Sequence, residues 1–345
     1  MKKHGDKSKQ LSRRTFLSLS ASAALSATVL SLPIPCEAVK FNSKLYKVSF
    51  SRPGMGTFVN ITIMDGSRDK AETAIEKSYH EMDRLISMLI RFAHSSPVSL
   101  LNRDGYLKDT PPELLQVLQA SVHYNTISSG AFDITVLPIL TLIQQSFAST
   151  GHPPSEDEVD RIQTVVGSHH LKISDRFVSL TRPGMAITLD SIAKGFIVDR
   201  IMAILRGQGI RHALVNAGGD IAVLGGKGDE RPWRIAIQDP RHQGNPLDVL
   251  SLYTCAVAPS GSYEVFFDQE KLYHHLISPS QALPVNENVS VSVQAKSVME
   301  ADALATAVFV MGPDQGTKSL KAWPAIEGLI VNRDGDRINS PRWKS

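Results

Sequence analysis

Val289-Ser290-Val291-Ser292-Val293, followed a few residues on by the apolar run from Met299 to Met311, decides the fold class of this 345-residue chain. The valine/serine alternation has the period of a strand, and the run after it is long enough for a helix. Working outward, further strand signals fall at Ala213 to Asn216, Trp233 to Ile237, Leu252 to Ala256, Tyr263 to Phe267 and Gly328 to Val331. Val59, Ile61 and Ile63 alternate with polar residues in the same way. Asp69 to Ile90 carries an apolar stripe at helical spacing, and Ser191 to Leu205 reads as a helix stopped by Gly207 and Gly209. Asp109-Thr110 ahead of Pro111 and Pro112 opens another helix, Gly151 to Asp160 reads as an acidic loop, and Leu171 to Leu189 as a hairpin turning at Arg182-Pro183-Gly184. A strand-rich last third with one apolar helix gives an α+β protein whose mixed, mainly antiparallel sheet is packed with helices. No fixed-period repeat is present, which excludes a solenoid.

Ser12-Arg13-Arg14-Thr15-Phe16-Leu17 follows a basic start and precedes a Ser/Ala/Leu-rich stretch ending near Pro33, the layout of a twin-arginine export signal. Small residues suit cleavage after Ala38, so residues 1–38 are read as a leader and 39–345 as the working domain, one large body or two close lobes. Pro35 disfavours lipidation at Cys36, and the apolar stretch is short for a retained anchor, so membrane association runs only through the leader or a lipid. The leader carries six Lys/Arg and two acids, so the +3 of the whole chain becomes −1 once it is removed, and no nucleic-acid partner is implied. Only Cys255 remains, which leaves no intramolecular disulfide in an oxidising, periplasmic destination.

The chemistry-bearing residues form several clusters. Asp302 and Thr306 lie four apart in the apolar run and share a helix face, where two oxygens suit a hard cation such as Mg²⁺; alternatively Asp302 is a first-turn acid on the helix dipole. Lys194, in Asp190-Ser-Ile-Ala-Lys-Gly195, stands near a helix start where an ammonium and backbone N–H groups meet a phosphate, or is a solvated surface lysine. In His274-His275-Leu-Ile-Ser-Pro279 one imidazole is available as a base at neutral pH, or both are structural. Glycine-centred segments at Pro53–Thr57, Gly130–Asp133, Asn216–Asp220 and Ser260-Gly261 permit close approach of backbone, or are plain turns. Gly218-Gly219-Asp220 lacks the third glycine and the following helix of a dinucleotide loop, and Ser260-Gly261 lacks the setting of a hydrolase nucleophile.

In this order the clusters resemble the ApbE family, the FAD:protein FMN transferases. The matches are Met55-Gly-Thr57, Gly130-Ala-Phe-Asp-Ile-Thr135, Ile192-Ala-Lys-Gly195, Asn216-Ala-Gly-Gly-Asp220, Pro259-Ser-Gly-Ser-Tyr263, His275-Leu-Ile-Ser-Pro279 and Ala301-Asp-Ala-Leu-Ala-Thr306. The resemblance implies an ApbE-like, T-fold-like core that binds FAD as substrate, uses Mg²⁺, and transfers FMN to a Thr or Ser hydroxyl of an acceptor flavoprotein subunit, releasing AMP. It implies that Met55, Phe92, Ala131, Phe132, Asp133, Thr188, Lys194 and Leu276 line the FAD site, with Asp190, Gly218, Gly219, Asp220, Ser260 and Gly261 also assigned to it. Asp302, Thr306 and the carbonyl of Ser191 would hold the metal, with His275 and Lys194 catalytic. This chain departs from the family pattern at Phe92 (usually Tyr), Thr188 (often Asp), Asp190 (often Gly) and Ser278 (commonly Asp), and lacks the usual glycine within Ser280-Gln281-Ala282. Two other readings stay open: a Mg²⁺-dependent FAD diphosphatase, and an exported FAD carrier without catalysis.

Overall fold

Nine strands build the main sheet of the structure, a computed structural model that describes residues 37–343 apart from 229–230, 242–243 and 264. The first part of the chain gives β1 (Glu37–Lys40), β2 (Tyr46–Gly54), β3 (Thr57–Asp65), α1 (Arg68–Leu89), α2 (Pro97–Asp104), β4 (Tyr106–Leu107), α3 (Pro112–Ile127), α4 (Leu137–Thr150) and α5 (Glu156–Gln163). Next come β5 (Leu171–Ser174), β6 (Phe177–Leu180), α6 (Ala193–Gly207), β7 (Ala213–Ala217), β8 (Asp220–Leu224), β9 (Trp233–Gln238), β10 (Pro246–Leu252) and β11 (Cys255–Gly261). The last part holds β12 (Ile277–Ser278), β13 (Leu283–Pro284), β14 (Asn288–Ala295), α7 (Val298–Ala322), β15 (Glu327–Asn332) and β16 (Arg337–Asn339). The main sheet runs β1-β2-β3-β7-β8-β11-β14-β15-β16, with small sheets β10-β9, β12-β13 and β4-β6-β5 beside it. Every strand pairing among the described residues is antiparallel, so the α+β class and the antiparallel character stand and no parallel pair enters.

Both faces of the sheet are covered, which explains why Ser290 and Ser292 on β14 are buried along with Val291 and Val293. One face, with Ile61, Val215, Ala258 and Val293, packs under α1, α6 and α7. The other, with Met64, Val223, Val257, Leu329 and Val331, is covered by Trp233, Ile235 and Leu250 of the β9–β10 hairpin and by Trp343. The result is helices, sheet and hairpin in three layers around two apolar interiors. A third, smaller cluster seats Ile277 and Ala282 on Ile139 and Ile143 of α4.

Helix α7 breaks at Gly312-Pro313, where Gly312 has φ 75° and ψ 174°. Pro313 has no N–H for the carbonyl of Phe309, and the buried Asn288 supplies the replacement: its Nδ2 donates to Phe309 O at 3.0 Å and lies 3.5 Å from Val308 O. Asn288→Ala is expected to lower the unfolding free energy by about 2–3 kcal/mol in urea titration, since it leaves buried carbonyls unpaired. A loss under about 0.5 kcal/mol would mean that the kink needs no such partner.

Four sequence expectations are corrected here. The hairpin expected across residues 171–189 closes earlier, between Ser174 and Phe177, with Asp175 at φ 48° in the turn; residues 181–190 then run as irregular chain. The acidic stretch expected to be loop starts α5, because Ser155 and Glu158 form a capping box and three acids occupy the first turn. Leu252 to Ala256 is the junction of two strands, β10 and β11, and around Tyr263–Phe267 a single bridge joins Phe266 to His274. The expected leader lies almost wholly outside the described residues, and β1 straddles the expected cleavage point after Ala38.

Candidate active site

The glycine-centred segments meet at one end of the sheet. Met55 and Gly56, at φ 53° and 72°, form the two-residue turn that closes Gly54 onto Thr57, and Gly218 and Gly219, at φ 65° and 110°, do the same between Ala217 and Asp220. Because β3 pairs with β7, the two turns are neighbours, and a methyl on Gly218 would stand 2.6 Å from Thr57 Oγ1. Pro259 at the end of β11 closes on Gly219 from the other side.

Two helices begin beside these turns. Lys194, in the first turn of α6, reaches Asp220 Oδ2 at 3.1 Å; the Asp220 side chain is fully buried and that of Lys194 one-quarter exposed. The next residue must be glycine, since a methyl on Gly195 would lie 2.6 Å from Val298 O at the start of α7. That approach lets the Gly195 N–H donate to Asp302 Oδ2 at 3.3 Å. From α6, Asp199 caps the same helix start, its two oxygens accepting from Val298 N at 2.8 Å and Met299 N at 2.9 Å. Burial holds the Asp199 carboxyl above the usual carboxylate range, while those amide bonds pull it back. One turn beyond the buried Asp302, Thr306 Oγ1 lies 3.1 Å from Ser260 Oγ. Carboxylate and hydroxyl are hard oxygen donors, the set that Mg²⁺ takes together with ligand phosphates and water. Among the described residues no three His, Cys, Asp or Glu side chains converge as a metal cage, so a divalent ion here would draw on hydroxyl, backbone and ligand oxygens. The donor set fits Mg²⁺ on those terms.

Thr306 also lines a narrow cleft, together with Ala131, Phe132, Asp133, Thr188, Ser191, His275 and Leu276. Ile134, Val136, Leu140, Ile277 and Val310 complete its apolar wall. Asp133 works as a brace: Oδ1 accepts from Thr135 N at 2.8 Å and Ser168 Oγ at 2.9 Å, and Oδ2 accepts from Ser168 N at 3.0 Å. Asn102 fixes the chain next to Thr188 by pairing with both backbone groups of Ile187, at 2.7 and 2.9 Å.

The histidine pair divides its labour. His274 is fully buried; its Nε2 lies 3.1 Å from Val285 O and its Nδ1 accepts from Leu276 N at 3.1 Å, which assigns a neutral ring with the proton on Nε2. Burial, reinforced by the neighbouring His275, pushes its pKa down to about 4. The unfolded chain takes that proton near pH 6.5, so stability present above 6.5 is lost as pH falls toward 4, on the order of 2–3 kcal/mol. Urea midpoints measured between pH 7 and 4.5 should follow that limb, and His274→Gln should flatten it. His275, the next residue, faces the cleft.

The ApbE family model matches residues 55–330. The chain belongs to the ApbE family. ApbE relatives named FAD:protein FMN transferase include that of Vibrio cholerae, 32% identical over 84% of this chain and 88% of the relative. That of Escherichia coli K12 is 27% identical over 84% and 86%. Among solved structures, the ApbE protein of Thermotoga maritima superposes with a TM-score of 0.78 at 29% identity, over 86% of this chain and 97% of that one. The flavin transferase ApbE of Vibrio cholerae gives 0.75 at 28% identity, over 89% and 98%.

Several ApbE-assigned residues lie outside the cleft wall itself. Lys194 pairs with Asp220, Ser260 touches Thr306 and Asp302 accepts from the Gly195 N–H, while Met55, Gly218 and Gly219 belong to the sheet-end turns and Gly261 ends β11. Phe92 is 68% exposed, with the Arg91 guanidinium 4.0 Å from its ring centre, and Arg91 Nε donates to Asp190 Oδ2 at 3.1 Å. The departures from the ApbE pattern have local consequences. Ser278 is buried and accepts from Gln281 N at 3.3 Å, and Ala282 stands at φ 54°, a conformation that costs a side-chain-bearing residue and suits glycine. Sequence reasoning missed Asp199, Asn102 and Arg91. An acid inside the apolar Phe196–Met202 stretch of α6 was the available signal for the first.

Proposed function

We propose that this chain is an exported, Mg²⁺-dependent FAD:protein FMN transferase that modifies a Thr or Ser of an electron-transfer flavoprotein subunit. The observation that carries the reading is one cleft lined by His275, Thr306, Ser191, Phe132 and Leu276, with Asp302 one helical turn before Thr306 and accepting from the Gly195 N–H next to Lys194. The basic, twin-arginine N-terminal stretch supports periplasmic action. Among the described residues no helix is long and apolar enough to cross a membrane.

In the reaction the acceptor hydroxyl oxygen attacks the phosphorus on the flavin side of the FAD diphosphate. A new O–P bond forms, the P–O bond to the bridging oxygen breaks, and AMP leaves with that oxygen. His275 takes the hydroxyl proton, a step worth about 10²- to 10⁴-fold. Lys194, held by the buried Asp220, sets a positive charge beside the diphosphate. Asp302, Thr306 and the Ser191 carbonyl are the residues that would hold Mg²⁺, which when bound neutralises phosphate charge. Ala131, Phe132, Thr188 and Leu276 offer the flat ring a largely apolar wall, and Met55, Phe92, Asp190 and the turns at Gly218-Gly219 and Gly261 are assigned to the remainder of the nucleotide.

The test is incubation of the leaderless protein with FAD, Mg²⁺ and a panel of threonine-bearing peptides, followed by mass spectrometry. One flavin mononucleotide moiety gained per peptide, with equimolar AMP, is the expected result. AMP released at the same rate with and without peptide, and no adduct, would give the site to FAD hydrolysis; intact FAD throughout would make the protein a carrier.

A further inference from the structure

The turn between α1 and α2 carries Arg91, and the fold holds this residue by both backbone and side chain. Ser99 Oγ donates to Arg91 O at 2.9 Å, and Ser96, which caps α2 by accepting from Ser99 N at 3.1 Å, donates its own hydroxyl to Ile90 O. The side chain reaches the cleft wall. Arg91 Nε donates to Asp190 Oδ2 at 3.1 Å, and Asp190 stands in the chain between Thr188 and Ser191, which both line the cleft. That stretch is fixed in turn: Asp190 N donates to Thr188 Oγ1 at 3.2 Å, and Thr188 N donates to Ile134 O at 2.8 Å. The same guanidinium lies 4.0 Å from the centre of the Phe92 ring, within cation–π range. Phe92 is otherwise 68% exposed, so little apolar packing holds its ring and most of its surface is open to a further partner.

We propose that Arg91 is a positioning residue for FAD: tethered to the cleft wall by Asp190, it holds the Phe92 ring at the cleft mouth so that the open face of the ring stacks on a flat ring of the dinucleotide. This rests on the transferase reading above. The guanidinium is engaged by a carboxylate and an aromatic face, so it acts through the ring and not as a free positive charge on the diphosphate. A phenyl ring in water gains from stacking on an aromatic ligand, and gains more when its rotamer is set beforehand. The acid at position 190 makes the tether, since the glycine often found there in the ApbE pattern offers no side-chain acceptor.

The test titrates FAD into the leaderless protein by calorimetry, with EDTA present to prevent cleavage, and measures KM for FAD in the transfer assay alongside. Arg91→Ala should weaken FAD binding about fivefold, the size of loss that an exposed cation–π contact and ion pair supply, and raise KM by a similar factor while kcat changes less. Asp190→Ala should act in the same direction because it cuts the tether. In a Phe92→Ala background, adding Arg91→Ala should cost less than about twofold, since no ring is left to hold. A merely structural arginine would cost the same with or without the ring, and that additive result overturns the proposal. Asp190→Ala binding FAD as tightly as wild type, or more tightly, also overturns it, because the arginine would then act by its own charge on the phosphates. So does a loss under twofold for Arg91→Ala alone. Should FAD bind only with the metal present, the KM values decide in place of the calorimetry. A wild-type protein that neither binds FAD nor turns it over defeats the transferase reading together with this proposal, whereas an additive result leaves that reading standing.

Discussion

Asp302→Asn is expected to cut both flavin transfer and AMP release by roughly 10³-fold or more while the protein stays folded. Asparagine keeps the shape and an acceptor oxygen for the Gly195 N–H, 3.3 Å from the carboxylate, so the α6–α7 contact survives and only the charge is lost. Burial makes this charge unusual. A carboxylate that is 5% exposed is held by compensating contacts, and a cation that joins it adds to them. The melting temperature of the protein alone should therefore stay within a few degrees of wild type. The stabilisation that Mg²⁺ adds in the presence of FAD should disappear in the variant. Two measurements check this: AMP release by chromatography, and thermal shift with and without Mg²⁺. A variant retaining more than a tenth of wild-type turnover would remove Asp302 from the metal role, and an unchanged Mg²⁺ shift would move the ion elsewhere.

The parts of the fold legible in the sequence were those with a strict period. The Asp69–Ile90 stripe matched α1 because burial of one face fixes that pattern, and the Val289–Val293 alternation matched β14 by its period of two although both faces of that strand are buried. Errors arose where local chemistry was read without its partner. The acids at Glu156–Glu158 looked like a solvated loop, although a serine three residues before Glu158 makes them a helix start. Leu252–Ala256 looked continuous because both flanking strands are apolar, and the turn between them carries no glycine or proline. At the site, Asp302 with Thr306 was readable from helical spacing alone. The Lys194–Asp220 ion pair was not, since it joins residues on different elements whose proximity depends on the β7–β8 turn. Asn288 was invisible for a similar reason: its partners are carbonyls freed by a proline in another element.

His275→Ala is expected to lower transfer by about 10²- to 10⁴-fold with little change in FAD affinity, the signature of a base acting on the incoming hydroxyl and not of a nucleotide contact. The neighbouring pair supplies its own control. His274 is buried, bonded at both ring nitrogens and held neutral, so it cannot take a proton at working pH without breaking its bond from Leu276 N. His275 borders the cleft. Substituting His274 should therefore act through stability, and substituting His275 through rate. Activity against pH separates the two further: wild-type transfer should fall on the acid side as the base protonates, and that limb should be missing from the residual activity of His275→Ala. Hydroxylamine or another strong small nucleophile, which needs no base, should be flavinylated by His275→Ala at close to the wild-type rate. Equal losses of transfer and FAD affinity, or failure of such a nucleophile to restore turnover, would reassign His275 to holding the nucleotide.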